Sequence, residues 1–192
     1  LLQRAVPQGV GAMAAVLGLE PEAVAAVAAT AAAETGRVCS VANYNSPEQT
    51  VIAGHTEAVE RAMALARERG AKRALALPVS APFHCALMRP AREGLSPDLA
   101  ATPFGAPAVP VVVNVEARAV TGGDAARDAL VRQIDGPVRW VESVRVLAGA
   151  HGVTRFVEVG PGSVLCGLVR RIVPQAEAIS LAEPEGLGKL LD

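Results

Sequence analysis

The chain has 192 residues, 51% hydrophobic and 19% charged, which is enough apolar mass for one good-sized domain or two small ones and argues against a disordered chain. Eighteen basic and nineteen acidic residues leave a formal charge of −1, which argues against a general binder of nucleic acid or anionic membranes, since either needs a basic excess. Only 3% of residues are aromatic, so the core must close on many small Ala, Val and Leu contacts.

The opening LLQRAVPQG reads as the tail of a helix running into a turn, and the lack of a first Met points to a fragment. VGAMAAVLGL (10–19) is apolar and bounded by Gly and Pro, which predicts a strand over most of its length. Pro21 and Glu22 then open a helix to about Glu34, with proline suited to the first helical position, acid suited to the positive end of the dipole, and Gly36 as the stop. RVCSVANYN (37–45) alternates as a strand, Ser46-Pro47 turns the chain, and TVIAG (50–54) is a short β-branched strand. TEAVERAMALARERG (56–70) carries full helix punctuation: Thr56 as N-cap, Glu57 and Glu60 early, Arg67 and Arg69 late, Gly70 as the stop. Its Val59, Met63 and Ala66 share a face. AKRALALPVS (71–80) returns as a strand. The order β-α-β-β-α-β over 8–80 is that of a ferredoxin-like unit, a four-stranded sheet with two helices on one face.

After residue 80 the pattern changes. A helix from about His84 carries Leu87, Ala91 and Leu95, with Ser96-Pro97 breaking or restarting it. PVVVNV (110–115) reads as a strand buried on both faces. Helices are expected over 124–134 and 138–152, a strand over 154–160, and a further helix after the glycine-rich turn at 160. Residues 81–192 therefore read as part of an α/β layered domain.

Cys39, Cys85 and Cys166 are few, odd in number and widely spaced, as expected of reduced thiols in a cytoplasmic protein. The longest apolar run, 23–33, is too short to cross a bilayer, and the front carries no secretory leader pattern. His84, in VSAPFHCALMRP, stands where a strand gives way to a helix and where the two halves meet; it reads either as a packed core histidine or as a general base kept neutral by a helix N-terminus. A Cys85–His84 couple is disfavoured, because neighbours on a helix do not face each other. His55 and His151 read as exposed loop residues without metal-ligand spacing. The turn in VEVGPGSVLCGLVRR lacks a P-loop lysine, so close packing at Gly160 and Gly162 is the favoured reading. Lys72-Arg73 reads as solvated surface.

Taken together, MAAVLGL (13–19), NYNSPEQTVIAGH (43–55), GAKRALALPVSAPFHCALM (70–88), DALVRQI (128–134) and FVEVGPGSVLCGL (156–168) resemble the bacterial malonyl-CoA:acyl carrier protein transacylases, in that family's order and spacing over essentially the whole chain. The acyltransferase domains of polyketide synthases match less well in detail. The resemblance implies a ferredoxin-like subdomain (8–80) inserted in an α/β-hydrolase-like acyltransferase body, of which 81–192 is the C-terminal part. It implies ping-pong transfer of malonyl from malonyl-CoA to the phosphopantetheine thiol of acyl carrier protein in fatty acid biosynthesis, with no permanently bound cofactor. His84 corresponds to the base that activates a serine, and the main-chain carbonyl of Gln133 to the group that orients it. Phe83 falls where a bulky residue would disfavour an α-methyl branch, Asn45 in a loop near the cleft, and Lys72 and Arg73 where an acidic carrier protein would dock. The family's GHSxGE-type elbow, its oxyanion loop and its carboxylate-binding arginine have no counterpart in these 192 residues, so the chain is expected to supply the base without the nucleophile and to be inactive alone. The competing readings are a polyketide-synthase acyltransferase, a non-catalytic module that binds carrier protein, and a thiol-dependent hydrolase using Cys85 or Cys166.

Overall fold

The computed structural model describes residues 5–183 and Gly188, so most of the helical tail expected at the front lies outside the described residues. In chain order the elements are β1 (Gly11–Leu17), α1 (Pro21–Thr35), β2 (Cys39–Ser46), β3 (Gln49–His55), α2 (Thr56–Glu68), β4 (Arg73–Ala76), a 3-10 turn (Ala86–Met88) and α3 (Arg89–Ala101). There follow β5 (Val111–Val113), β6 (Arg118–Val120), α4 (Gly123–Gln133), α5 (Trp140–Gly149), β7 (Arg155–Val159), α6 (Val164–Ile172) and β8 (Glu177–Leu181). The first four strands form one antiparallel sheet in the order β2-β3-β1-β4, β5 and β6 form a hairpin, and β7 and β8 pair in parallel.

β1 shows how the first sheet is sealed on both faces. Side chains alternate along a strand, so Ala14 and Val16 point one way and Met13 and Ala15 the other. Ala14 and Val16 pack with Val24, Val27, Ala28 and Ala31 of α1, and with Val59, Ala62 and Ala66 of α2. Both helices bury an i, i+3, i+4 stripe, as an amphipathic helix on a sheet must. Met13 and Ala15 join Ala42, Val51, Ala53 and Cys85, with Phe83 and Leu87 against them. The second face of the sheet is therefore roofed by the segment that carries His84. Gly11 permits the approach: a Cβ there would stand 2.3 Å from Pro82 Cγ, inside the proline ring.

The remaining helices pack around β7 and β8. Val141 and Val144 of α5, Cys166, Val169 and Ile172 of α6, and Ala178 of β8 form a second core that touches Tyr44 of β2. The two cores are also joined through the main chain, because Tyr44 N–H donates to Val138 O at 2.9 Å and Val138 N–H to Ala42 O at 2.8 Å. Val138 thus bridges to the sheet beside a bulge in β2.

Several local expectations are corrected. Thr56 does not cap α2; it is the helix's first residue and its hydroxyl donates to Gly9 O at 2.9 Å. The fourth strand spans only Arg73–Ala76, since Pro78 beyond it has no N–H for a ladder. Val111–Val113 is a short hairpin strand with Val111 44% exposed, not a strand buried on both faces. Ser96-Pro97 does not interrupt α3: Pro97 lies inside it on an exposed face, where water can take the carbonyl its missing N–H leaves, and Ser96 Oγ donates back to Arg92 O at 2.7 Å.

Candidate active site

His84 sits in a tight turn with φ 61, the left-handed region that few side chains enter. Its neighbours hold it there. Cys85 is 1% exposed and its thiol donates to Pro82 O at 3.1 Å, Phe83 N–H donates to Ala81 O at 3.1 Å, and Met88 is fully buried. The residues after His84 do not continue as an α-helix. A 3-10 turn intervenes and α3 begins only at Arg89, so the positive end of a helix dipole does not stand at the imidazole as the sequence led us to expect.

Another group orients the ring. Nδ1 of His84 lies 3.1 Å from the main-chain oxygen of Gln133, the last residue of α4. The last four carbonyls of a helix have no intrahelical partner, so this oxygen is free to accept. A carbonyl only accepts, so Nδ1 must carry the hydrogen and Nε2 keeps its lone pair. The side chain of Gln133 folds back as well: Nε2 donates to Gly136 O at 3.0 Å and Pro137 O at 3.2 Å.

The imidazole borders an open, mainly apolar cleft of about 320 Å³, walled by Phe83, by Leu95 and Leu99 of α3, and by Leu130, Gln133 and Ile134. Phe83 also packs into the core beneath, so a packing role for it is established whatever else it does. Among the described residues, no hydroxyl or thiol lines this cleft. Asn45 is not in a loop but at an irregular position of β2, and it does not line the cleft with His84. Lys72 and Arg73 are exposed at the start of β4 and border a separate depression with Glu48 and with Arg171 of α6. Arg171 is an addition that only the folded chain reveals, since it lies about a hundred residues away in sequence.

The other candidates resolve into structure. His55 is half-buried, and its Nδ1 accepts from Val38 N–H at 3.1 Å, which fixes the tautomer opposite to that of His84. His151 is exposed. Burial pushes the Cys39 thiol up to about 12 and raises Cys85 and Cys166 above their ordinary value, so none of the three is poised as a thiolate. Gly160 and Gly162 are explained by φ values of 130° and 95°, not by close packing, because among the described residues nothing lies within 4 Å of a Cβ at either. Sequence reasoning missed Glu158 in that segment. Its carboxylate accepts from Leu165 N–H at 3.1 Å and Cys166 N–H at 2.8 Å, filling the anion-binding end of α6 from within the chain. Those N–H groups hold its carboxyl below the usual range. Among the described residues no group of three or more His, Cys, Asp or Glu could hold a metal ion, and no helix is long and apolar enough to cross a membrane.

A mixed α/β chain that presents a carbonyl-oriented histidine at an apolar cleft fits acyl-transfer chemistry. The chain belongs to the acyl transferase domain family, whose model matches residues 3–188. It is 53% identical over 191 residues to the malonyl CoA-acyl carrier protein transacylase of Escherichia coli K12, an alignment covering 100% of this chain and 61% of that protein. A crystal structure of the acyl carrier protein S-malonyltransferase of Vibrio cholerae superposes with a TM-score of 0.94 at 50% identity, over 98% of this chain and 61% of that one. A malonyl-transacylase solved in complex with its type II polyketide synthase acyl-carrier protein gives 0.94 at 45% identity, over 99% and 60%. The chain thus spans about three fifths of the length of the relatives it matches.

Proposed function

We propose that this chain carries the base of a malonyl transferase that moves malonyl from malonyl-CoA to the phosphopantetheine thiol of acyl carrier protein in fatty acid biosynthesis. The observation that carries the reading is the His84–Gln133 couple at an open apolar cleft, in a chain 53% identical to a named transacylase. In the first half-reaction Nε2 of His84 takes the proton of a serine hydroxyl as its oxygen attacks the malonyl thioester, then returns that proton to the departing coenzyme A sulfur. In the second it takes the proton of the phosphopantetheine thiol, whose sulfur attacks the malonyl ester, and returns it to the serine oxygen. The Gln133 carbonyl accepts from Nδ1–H throughout and favours the imidazolium that forms transiently, as a carboxylate does in a serine triad.

The serine and the oxyanion donors are assigned to polypeptide corresponding to the part of the relatives that this chain does not span, seated on the cleft wall formed by Leu95, Leu99 and Leu130. Phe83 narrows the cleft against an α-methyl branch, so malonyl is favoured over methylmalonyl. Lys72 and Arg73, with Arg171, are suited to an acidic carrier protein, where opposite charge speeds encounter. Asn45, outside the cleft lining, is assigned to the part of the substrate that extends past the cleft. The fold reading is a ferredoxin-like unit over 8–80, supported by the strand order β2-β3-β1-β4, set into an α/β-hydrolase-like body of which 81–192 is a part. A polyketide role for the same chemistry is favoured by one observation, the likeness to the type II polyketide malonyl-transacylase.

Intact mass spectrometry after incubation with malonyl-CoA tests the reading. The chain alone should gain no mass. The chain joined to the remainder of the E. coli relative should gain one malonyl group as a hydroxylamine-labile ester. A malonyl adduct on the chain alone, or none on a folded joined protein, would overturn it.

A further inference from the structure

The structure assigns a positioning role to an ion pair that joins α3 to the end of α4: we infer that Arg92 and Asp135 hold the Gln133 carbonyl against His84 Nδ1. The inference rests on the reading of His84 as the base and adds two residues to that site.

Gln133 ends α4, so its carbonyl points wherever the next few residues aim it. Three contacts fix that segment. The Gln133 side chain braces it internally through Gly136 O and Pro137 O. Val138 ties its far end to β2. Arg92 supplies the third, from the opposite side: Nη1 donates to both carboxylate oxygens of Asp135, at 3.3 and 3.2 Å. Asp135 lies only two residues past Gln133, and its side chain is 11% exposed against 42% for Arg92. A carboxylate that far withdrawn from water needs its partner, whereas a half-exposed arginine does not need the carboxylate. The pair therefore constrains the α4 end far more than it constrains α3. Gly136 fits the same tight packing, since a Cβ there would stand 2.6 Å from Arg132 O and 3.0 Å from Val115 Cγ2. α3 also carries Leu95 and Leu99, so one helix both walls the cleft and holds the carbonyl that orients its base.

The test reads the histidine tautomers of the full ¹⁵N-labelled chain at a pH where the imidazoles are neutral, from two- and three-bond ¹⁵N–¹H couplings. In the native chain His84 should appear as Nδ1–H and His55 as Nε2–H, because His55 Nδ1 accepts from Val38 N–H. Arg92→Ala keeps a good helix former in α3 and should shift the His84 ratio about five-fold toward Nε2–H, the equivalent of an ordinary hydrogen bond lost. His55 should not change, which reports that the chain is folded. Arg92→Lys should restore most of the native ratio. If Arg92→Ala perturbs His55 too, Asp135→Asn keeps the shape, removes the charge, and is read the same way. A native His84 tautomer in either variant, with His55 intact, overturns the lock. Because the readout needs no acyl transfer, failure of the malonyl transferase reading leaves this result standing, and the converse also holds.

Discussion

At the scale of single residues, the approach of Gly11 to Pro82 is as telling as the histidine. The proline ring is rigid and packs where a Cβ would fall, 2.3 Å from Cγ, 2.7 Å from Cδ and 2.9 Å from Cβ. Gly11→Ala should cost about 1–3 kcal/mol by overpacking and push the His84 turn off β1. Gly149→Ala, at the end of α5 with no described residue within 4 Å of a Cβ, should be neutral or stabilising by up to about 1 kcal/mol. Denaturant unfolding of the two variants checks the opposite signs. Of the site itself, His84 was legible because its type and its junction drew attention, and Gln133 because a family resemblance named its carbonyl. The left-handed φ of His84, the folding back of the Gln133 side chain and the Arg92–Asp135 pair were not legible. Each depends on segments that meet only after folding, the ion pair across 43 positions.

Elements were readable where periodicity and punctuation agreed. α1 runs from its proline to a left-handed Gly36, and α2 closes within two residues of the expected end. The elements missed were short and without a clear period: β6 has three residues and β8 has five, while β5 was expected as a strand but is a three-residue hairpin strand, not one buried on both faces. α6 follows the glycine-rich turn as expected, but how its N-terminus is satisfied was not readable. Its N-terminus is satisfied by Glu158 from the neighbouring strand, not by a residue in the capping position. That contact has a pH signature. The hydrogen bonds from Cys166 N–H, then Leu165 N–H, lower the folded carboxyl below its ordinary 4.5. Between the two values the unfolded chain binds more protons, so the stabilisation is complete above 4.5 and is lost as pH falls through the lowered folded value. Glu158→Gln should flatten the acid limb of a stability–pH curve measured by urea unfolding. An unchanged limb would remove this carboxylate from the account of α6.

At the scale of the molecule, the β-α-β-β-α-β order was readable from residues 10–80, and the sheet closes with β1 at its centre as that order allows. The second half was less legible because its strands pair only in twos within the described residues, and Val159 and Val164 stay 82% and 71% exposed. Those side chains and the cleft beside His84 are apolar surface of the kind that a further polypeptide covers. The role proposed for His84 belongs to this scale: held by the end of α4, it is proposed to move the protons of a malonyl transfer. The most direct measurement is the rate of malonyl transfer from malonyl-CoA to holo acyl carrier protein, using the chain joined to the remainder of its E. coli relative, with and without His84→Ala. The predicted result is a fall of about 10²- to 10⁴-fold, with the variant still folded. A folded His84→Ala protein that transfers at the native rate would contradict the role given to His84.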